Sequence, residues 1–373
     1  MSGSEQSRPD RGMASTPPST RADPTLDADA GESGAALAAA LAEYCRAHRP
    51  AADASYVADL ERIFGGASRE TWRFTWVEAR DGGEHRHALI LRRDPAASLI
   101  DTERRIEVAA YRAFADTAVP VPRIWWLEED PAPLGSPFFV MEAITGCEAA
   151  GPALMQAPYS QHHEHIAEQK WTLLARIATT DPARVADVAT PPDSDQCWRR
   201  ELDHWAGVLD REAVEPQPIA QAAIRWLRAN PPPPARRISI VHGDYRTGNF
   251  LVAPDGGIRA VLDWEMMHLG DPLEDLAWGL NRVWAFQNDE RVGGLVARER
   301  AVSIWERASG LRADPAALGW WELFSSIKGQ AIWQGAARAF ESGANRDLMM
   351  AFAAGVMINS QDRVILDQLG HLS

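Results

Sequence analysis

Four polar residues with the clearest chemical potential stand close together late in the chain. His242, Asp244 and Asn249 lie between two short apolar segments, and Asp263 comes eleven residues after Val252, at the end of a third. A loop between strands is a good position for reactive side chains. Because an asparagine oxygen and a carboxylate are hard ligands that suit Mg²⁺, Asn249 and Asp263 could hold a metal ion. Asp244 could then accept the proton of a substrate hydroxyl.

This division of labour is the one that phosphoryl transfer requires, since the protein mainly positions the reactants and neutralises charge in that reaction. Arg246, two residues after Asp244, could neutralise the transferred group. The pattern H-x-D-x-x-x-x-N alone is only suggestive, because a turn whose polar residues merely cap and hydrogen-bond can also show it. The spacing of Asp263 and the apolar segments around the loop make phosphoryl transfer the better interpretation.

Short strands and helices must position this loop. The apolar segments predict strands at 238–241, 250–252 and 258–262, and Asp255-Gly256-Gly257 is typical of a hairpin turn. Helices are predicted on both sides of these strands, at roughly 161–179, 196–209 and 218–229 and again from about 272 to the end of the sequence.

The first part of the chain shows a different pattern. Residues 1–33 are rich in Ser, Pro, Gly, Asp and Arg, which predicts disorder, and a helix is expected at 34–48. Three strands, a helix at 101–115 and two further strands follow. The strands are expected at 60–64, 71–79, 88–92, 123–127 and 137–143. This order predicts a small antiparallel sheet that carries one helix.

Composition excludes several classes of function. A net charge of −14 argues against general binding of nucleic acid or of an anionic membrane surface. The three cysteines are far apart, which argues against a disulfide framework or a zinc site. No apolar run approaches the roughly 20 residues that span a bilayer, and acidic residues precede the Ala-rich stretch 35–42, so we expect a cytoplasmic protein without a signal peptide. Composition does not predict an oligomeric state.

Three stretches carry a resemblance to a known family: Val241–Val252 (VHGDYRTGNFLV), Val261–Glu265 (VLDWE) and Leu269–Trp278 (LGDPLEDLAW). Through them the chain resembles the aminoglycoside phosphotransferase, or choline kinase-like, family over roughly residues 55–365. The resemblance implies a bilobal, protein-kinase-like α+β fold. The expected parts are a disordered segment 1–33, an N-lobe with its preceding helix at 34–143 and a helical C-lobe at 144–373.

The resemblance also implies roles for the loop residues. Asp244 is the implied catalytic base, Asn249 and Asp263 are the implied ligands of Mg²⁺, and His242 is implied to order the loop. Asp275 is implied to anchor the loop through backbone hydrogen bonds. The alternative for Asp275 is a carboxylate at a helix N-terminus, where the helix dipole favours negative charge.

The N-lobe is implied to bind the phosphates of ATP. Gly65–Thr71 resembles the loop that covers the nucleotide, where backbone N–H groups and Ser68 could contact the β-phosphate; the alternative is an ordinary glycine turn. Arg92 stands where the family carries a phosphate-binding lysine, and it keeps the charge with a different geometry. Glu107 is the expected ion-pair partner of Arg92, with Glu103 as the rival and a solvated charged face as the alternative for either one.

The adenine site is implied by two neighbouring strands. Ile90 shares a face with Arg92 by strand alternation, so it could line the adenine pocket. Met141 and Ala143, in the stretch that resembles the hinge between the lobes, would bind adenine through backbone groups. The same stretch also reads as an ordinary buried strand.

The acceptor is expected to be a hydroxyl group of a small molecule. A protein kinase would show D-F-G and A-P-E with an activation loop between them, and here Gly270-Asp271-Pro272 follows Asp263 too closely for such a loop. A nucleotide-binding pseudokinase is the second hypothesis, with Arg92 in its favour. The segment 264–278 also resembles kinase-type domains associated with acyl-CoA metabolism, which makes a hydroxyacyl substrate an alternative to an aminoglycoside.

Overall fold

The structure, a computed structural model, describes residues 24–49, 54–63, 69–80, 82–94, 104–285 and 290–372. For residues 24–33 and 372 the description is confined to the backbone. Ser68 and Glu103 lie outside the described residues. The chain forms an N-terminal part built on one sheet and a C-terminal part built mainly from helices.

The N-terminal sheet has five antiparallel strands in the order β1-β2-β3-β5-β4. The hairpin of β2 and β3 pairs without interruption from Glu70 and Arg93 to Arg80 and Gly83. The strands are β1 Ala54–Ile63, β2 Glu70–Arg80, β3 Gly83–Arg93, β4 Ile124–Glu128 and β5 Phe138–Glu142, with helix α2 at Arg104–Phe114 between β3 and β4. This is the predicted order of three strands, one helix and two strands.

Alternating side chains give the sheet two buried faces. Helix α1, Pro24–His48, packs Leu41 and Tyr44 against one face, where Leu89 and Leu91 of β3 are buried. Ile90 lies on the other face with the α2 core, and Arg92 shares that face because strand residues alternate. The sheet therefore presents one face to α1 and the other to α2 and the C-terminal part.

The C-terminal part surrounds two small sheets with helices. β7 pairs with β10, and β8 pairs with β6 and β9, all antiparallel. The strands are β6 Glu148–Ala149, β7 Ser239–Val241, β8 Phe250–Val252, β9 Ile258–Val261 and β10 His268–Gly270. The helices are α3 His163–Thr179, α4 Cys197–Glu212, α5 Pro218–Ala229, α6 Leu273–Leu280, α7 Arg298–Ser309, α8 Pro315–Glu341, α9 Leu348–Phe352 and α10 Ile358–Leu372. Among the helices that the structure describes, none combines the length and the apolar character needed to cross a membrane.

Two N-terminal elements begin earlier than the sequence led us to expect. Helix α1 begins at Pro24, so the last ten residues of the segment expected to be disordered are helical. Strand β1 begins at Ala54, six residues before the expected start, because its backbone pairs with β2 from that residue onward. Residues 1–23 lie outside the described residues.

Candidate active site

The loop 242–249 connects β7 to β8, and its two ends are tied to neighbouring strands. β7 pairs with β10, which leads into α6, while β8 pairs with β9, which leads to Asp263. The backbone N–H of Leu262 donates to the carbonyl of Asn249 at 2.9 Å. The paired strands therefore bring Asn249 and Asp263 to the same end of a small sheet, as the sequence predicts.

Asp275, in the first turn of α6, receives two backbone hydrogen bonds from the start of the loop. Its carboxylate accepts the N–H of His242 at 2.6 Å and the N–H of Gly243 at 3.0 Å. Gly243 has φ +85°, and a Cβ there would lie 2.3 Å from the Met266 carbonyl, so glycine is required at this position. Asp275 therefore holds the backbone at the start of the loop through two hydrogen bonds.

His242 is completely buried and bonds on both sides of its ring. Its Nδ1 accepts the backbone N–H of Asp244 at 3.1 Å, which assigns the proton to Nε2, and Nε2 then donates to the Leu262 carbonyl at 2.9 Å. Burial lowers the pKa of His242 to about 4. The neutral ring thus links the loop to the strand that precedes Asp263.

The carboxylate of Asp244 is oriented by three donors. Its Oδ1 accepts the indole N–H of Trp278 at 2.7 Å. Its Oδ2 accepts Nδ2 of Asn249 at 2.8 Å and Nε of Arg246 at 3.2 Å. The guanidinium of Arg246 also lies over the ring of Trp284, 5.1 Å from its centroid. A half-buried carboxylate fixed in this way can face a substrate hydroxyl without losing further side-chain entropy.

The donor set around Asp263 fits a hard divalent cation. The Nδ2 atom of Asn249 is committed to Asp244, so its oxygen is the atom left for a metal ion. Burial alone would raise the pKa of the Asp263 carboxyl, but Arg92 and Arg246 together hold that pKa below its usual value, so Asp263 is ionised. A carboxylate and an amide oxygen match the preference of Mg²⁺.

Asp263 stands in a left-handed conformation, with φ +69°. Its backbone N–H donates to the Tyr111 hydroxyl of α2 at 3.1 Å, and its Oδ1 accepts from Arg92 at 3.0 Å. Aspartate tolerates this backbone region better than most residues. The residue is therefore held by the N-terminal part of the chain as well as by its own strand.

Arg92 and Glu107 form a buried ion pair in which Nη1 of Arg92 donates to Oε1 of Glu107. Glu107 is completely buried and accepts a second hydrogen bond, from Nε of Arg69 at 3.2 Å. Glu107 is thus the residue that the structure pairs with Arg92. Arg69 had no expected role, and its position next to the glycine-rich segment 65–68 is the only signal that could have suggested one.

The residues expected at the adenine site are Ile90, Met141 and Ala143, and they differ in the groups that they make available to a ligand. Ile90 of β3 pairs directly with Met141 of β5, and both side chains belong to the core on the α2 face. Because β5 lies between β3 and β4, the backbone of Met141 is enclosed by paired strands. The Ala143 N–H donates to the Ala88 carbonyl at 2.9 Å. The geometry therefore favours a side-chain contact from Met141 and a carbonyl contact from Ala143, rather than an N–H contact.

The family model of the phosphotransferase enzyme family matches residues 59–311. The chain belongs to this family. Curated relatives include acyl-CoA dehydrogenase family member 10 from Mus musculus, 31% identical over 51% of this chain, and family member 11 from Gallus gallus, 27% identical over 51%. These matches cover 18% and 25% of those proteins, so the chain spans about a quarter or less of their length.

Solved structures show the same fold. A candidate aminoglycoside phosphotransferase from Ralstonia eutropha aligns with a TM-score of 0.68 at 23% identity, over 87% of this chain and 97% of the other. A thermostable mutant of aminoglycoside phosphotransferase APH(4)-Ia, in a ternary complex with AMP-PNP and hygromycin B, aligns with a TM-score of 0.53 at 18% identity, over 83% and 94%. The predicted family and the bilobal, protein-kinase-like α+β fold are thereby confirmed.

Several contacts that shape the site join distant residues. The Trp278 indole on Asp244 and the Tyr111 hydroxyl on Asp263 come from helices whose sequence patterns indicate only amphipathic packing. Trp278 stands within a stretch that carries the resemblance, whereas Tyr111 lies outside all three stretches. A motif does not show which aromatic side chain turns toward the loop. The two lysines described below, Lys170 and Lys328, were also not predicted.

Proposed function

We propose that this phosphotransferase family member transfers the γ-phosphoryl group of ATP, with Mg²⁺, to a hydroxyl group of a small molecule. The observation that carries this proposal is the Asp244 carboxylate, which Trp278, Asn249 and Arg246 orient. Its loop is joined to the strand that leads to Asp263 by the hydrogen bond from Leu262 to Asn249. Positioned acceptors and fixed charges of this kind are what phosphoryl transfer needs.

Each residue has a distinct proposed role. Asp244 orients the acceptor hydroxyl and takes up its proton as the oxygen attacks phosphorus. Arg246, bonded to Asp244 at 3.2 Å, places a positive charge beside the transferred group. Asn249 Oδ1 and Asp263 would hold Mg²⁺, which when bound neutralises phosphate charge and orients the phosphates.

Arg92 is the proposed contact to the nucleotide phosphates on the N-terminal side. Glu107 holds the guanidinium in the buried face of the sheet, and Nη2 of Arg92 reaches Asp263 at 3.0 Å. Solved relatives with this fold carry AMP-PNP or ADP, which supports a nucleoside triphosphate as donor. Ile90 and Met141 would pack against the base, with Ala143 contributing its carbonyl.

For the acceptor, we favour a hydroxyacyl substrate over a polycationic aminoglycoside. Trp284 packs edge-on against Trp278 at 5.2 Å, and Trp333 packs against Trp284 at 5.8 Å, so three aromatic rings follow one another from the indole that binds Asp244. The Arg246 guanidinium lies over the Trp284 ring. Aromatic and basic side chains suit an apolar chain with an anionic group, and the curated relatives are named as members of the acyl-CoA dehydrogenase family.

An ATP-consumption assay with Mg²⁺ would test the proposal, with hydroxyacyl-CoA thioesters, aminoglycosides, macrolides, choline-like alcohols and sugars as acceptors. Mass spectrometry should show an acceptor that is heavier by one phosphoryl group, and Asp244→Asn should remove that product. Turnover confined to aminoglycosides would overturn the acceptor proposal. Nucleotide binding without any phosphorylated product, and the same phenotype for wild type and Asp244→Asn, would instead support the pseudokinase.

A further inference from the structure

The chain contains 38 basic residues of the Lys and Arg types, and only two of them, Lys170 and Lys328, are lysines. Both are buried, with relative exposures of 0% and 1%. Lysine is almost never fully buried unless it has a specific partner. Arginine occupies every other Lys or Arg position of the chain. The two buried positions are thus the ones that carry the more compact amine of lysine.

Both ammonium groups donate to the loop 242–249, one on each side of Asp244. Nζ of Lys328, on α8, donates to the Gly243 carbonyl at 2.6 Å. Nζ of Lys170, on α3, donates to the Thr247 hydroxyl at 2.9 Å. Two helices that are distant in sequence therefore hold the residues immediately before and three positions after Asp244.

Lys328 completes the fixation of the Gly243 residue. Asp275 binds the N–H of Gly243, and Lys328 binds its carbonyl, so both polar backbone groups of this residue are hydrogen-bonded to a buried side chain. The ammonium also lies 5.3 Å from the ring of Trp278, whose indole N–H orients Asp244. A displacement of Lys328 would thus reach Asp244 by two routes, through the backbone and through the indole.

Lys170 holds the other half of the loop. Its backbone carbonyl accepts the Tyr245 hydroxyl at 2.6 Å, while its ammonium binds Thr247. The ammonium lies 4.5 Å from the centroid of the Trp171 ring. A Cβ on Gly293 would lie 2.9 Å from Nζ, so the backbone of that glycine closes directly over the amine.

These contacts are suited to lysine and not to arginine. A guanidinium is planar, broader than an ammonium and carries five donors in a fixed fork. Between the Trp171 ring and the Gly293 backbone there is no room for that fork, and Lys328 is enclosed in the same way by the rings of Trp205 and Trp278, at 5.2 Å and 5.3 Å. Replacement by arginine should therefore displace the loop. At position 170 it would also introduce a permanent positive charge, because burial lowers the pKa of Lys170 to about 7.

We infer that Lys170 and Lys328 are positioning residues that hold Asp244 in its reactive orientation, a role that rests on the proposed phosphotransferase function. Neither lysine touches the reacting atoms. Their effect should appear in turnover, because a displacement of about 1 Å in a reactive group can cost roughly 100-fold in rate. Nucleotide affinity should change little, since both lysines lie away from Arg92 and Glu107.

The test compares Lys170→Met, Lys170→Arg, Lys328→Met and Lys328→Arg with the surface control Arg312→Lys, whose side chain is 77% exposed. We expect kcat to fall about 10- to 100-fold in all four lysine variants while KM for ATP stays within about threefold. Arg312→Lys should match the wild type. Lysine variants that melt at a lower temperature but keep the wild-type kcat would show a purely structural role and overturn the inference.

Hydrogen–deuterium exchange of the peptide that contains residues 242–249 provides a readout without turnover. The lysine variants should exchange faster in this peptide than the wild type, and unchanged exchange would count against the positioning role. If the wild type itself phosphorylates no acceptor, the proposed function fails, while the exchange result still decides the role of the lysines. Thr247→Val, which removes the acceptor of Lys170 and leaves the lysine in place, should reproduce the effect if a lysine variant does not fold.

Discussion

At Asp244 two oxygens share three donors, which act on the carboxylate in two ways. Trp278 and Asn249 fix the plane of the carboxylate, while Arg246 adds positive charge at 3.2 Å. A carboxylate that is already oriented can accept a proton from a substrate hydroxyl without rearrangement. The chemical identity of the residue at 244 and its orientation can therefore be tested separately.

Asp244→Asn removes the proton acceptor and keeps the size of the side chain. We expect kcat to fall by about 10²- to 10⁴-fold, because general-base catalysis contributes on that order. The Kd for ATP, measured by titration calorimetry, should change little, since the nucleotide contacts lie on the N-terminal side. Near-normal turnover would remove Asp244 from the role of catalytic base.

Trp278→Phe keeps a ring in the core and removes the indole N–H that donates to Asp244. We expect kcat to fall about 10-fold and the free energy of unfolding to fall by about 1 kcal/mol, the usual value of one hydrogen bond. Trp305→Phe is the matched control, because Trp305 is fully buried and its indole N–H has no partner within the described residues. An equal loss of kcat in both variants would contradict an orienting role for Trp278.

Asp263→Ala tests the metal site. The variant should lose Mg²⁺-dependent turnover, and the concentration of Mg²⁺ needed for half-maximal activity should rise steeply if activity remains. The physical reason is that one of the two proposed oxygen ligands is lost, and a remaining amide oxygen binds Mg²⁺ weakly. Asp203→Ala, at an exposed ion pair on α4, is the control. Metal-independent activity in Asp263→Ala would refute the ligand assignment.

At the scale of elements, the two faces of the N-terminal sheet have different roles. One face packs against α1 and contributes to the stability of the fold, and the other faces the candidate site. The α2 face of the sheet carries Arg92 and Ile90 toward the site, whereas its α1 face packs against Leu41 and Tyr44 in a core of its own. A residue in the α1 core should therefore affect unfolding much more than turnover. This separation follows from strand alternation, which sends adjacent residues of β3 to opposite faces.

Leu41→Ala tests that separation. Leu41 is completely buried between α1 and the sheet, so its truncation should lower the free energy of unfolding by about 2–5 kcal/mol. Urea unfolding would measure this loss, and kcat at a temperature where the variant is folded should equal that of the wild type. Leu366→Ala, at a position 52% exposed on α10, should change neither quantity appreciably. A reduced kcat in Leu41→Ala would show that α1 is coupled to the site.

At the scale of the whole molecule, the sequence predicted what is local and could not predict what depends on how helices cross. The order of strands and helices follows from short-range patterns, and the loop 242–249 with Asp263 is recognisable because its chemistry is concentrated in a few residues. The contacts of Trp278, Lys170 and Lys328 with that loop join helices up to 85 residues away from it. No local pattern encodes which side chain of a buried helix turns toward a given loop.

A buried charge cluster connects four elements of the C-terminal part. His268, the first residue of β10, lies 3.0 Å from Glu274 of α6 and 3.6 Å from Glu201 of α4, while Lys328 of α8 lies 3.3 Å from Glu274. When His268 is protonated, two carboxylates face His268 and Lys328, and Arg200 adds a further cation 3.0 Å from Glu201. Burial opposes the charge on His268, but Glu201 and Glu274 raise its pKa to about 9. The contribution of this cluster to the free energy of unfolding therefore depends on pH.

The sign of this dependence follows from the raised pKa. In the unfolded chain His268 should titrate near 6.5, so its contribution is fully present below that value and is lost as pH rises through about 9. Glu274 behaves in the opposite way: His268 and Lys328 overcome the effect of burial and lower its pKa to about 2, so its contribution is lost only in strong acid.

Urea unfolding of the wild type should therefore show stability that falls by on the order of 2 kcal/mol between pH 6.5 and pH 9. His268→Gln can still bond to Glu274 but cannot be charged, so the variant should be less stable at pH 6 and should show a flatter profile over the same range. Mutation of the exposed His371 to Gln leaves the cluster intact and should reproduce the wild-type slope. A His268→Gln profile parallel to that of the wild type would place the proton uptake elsewhere and leave His268 neutral in the folded protein.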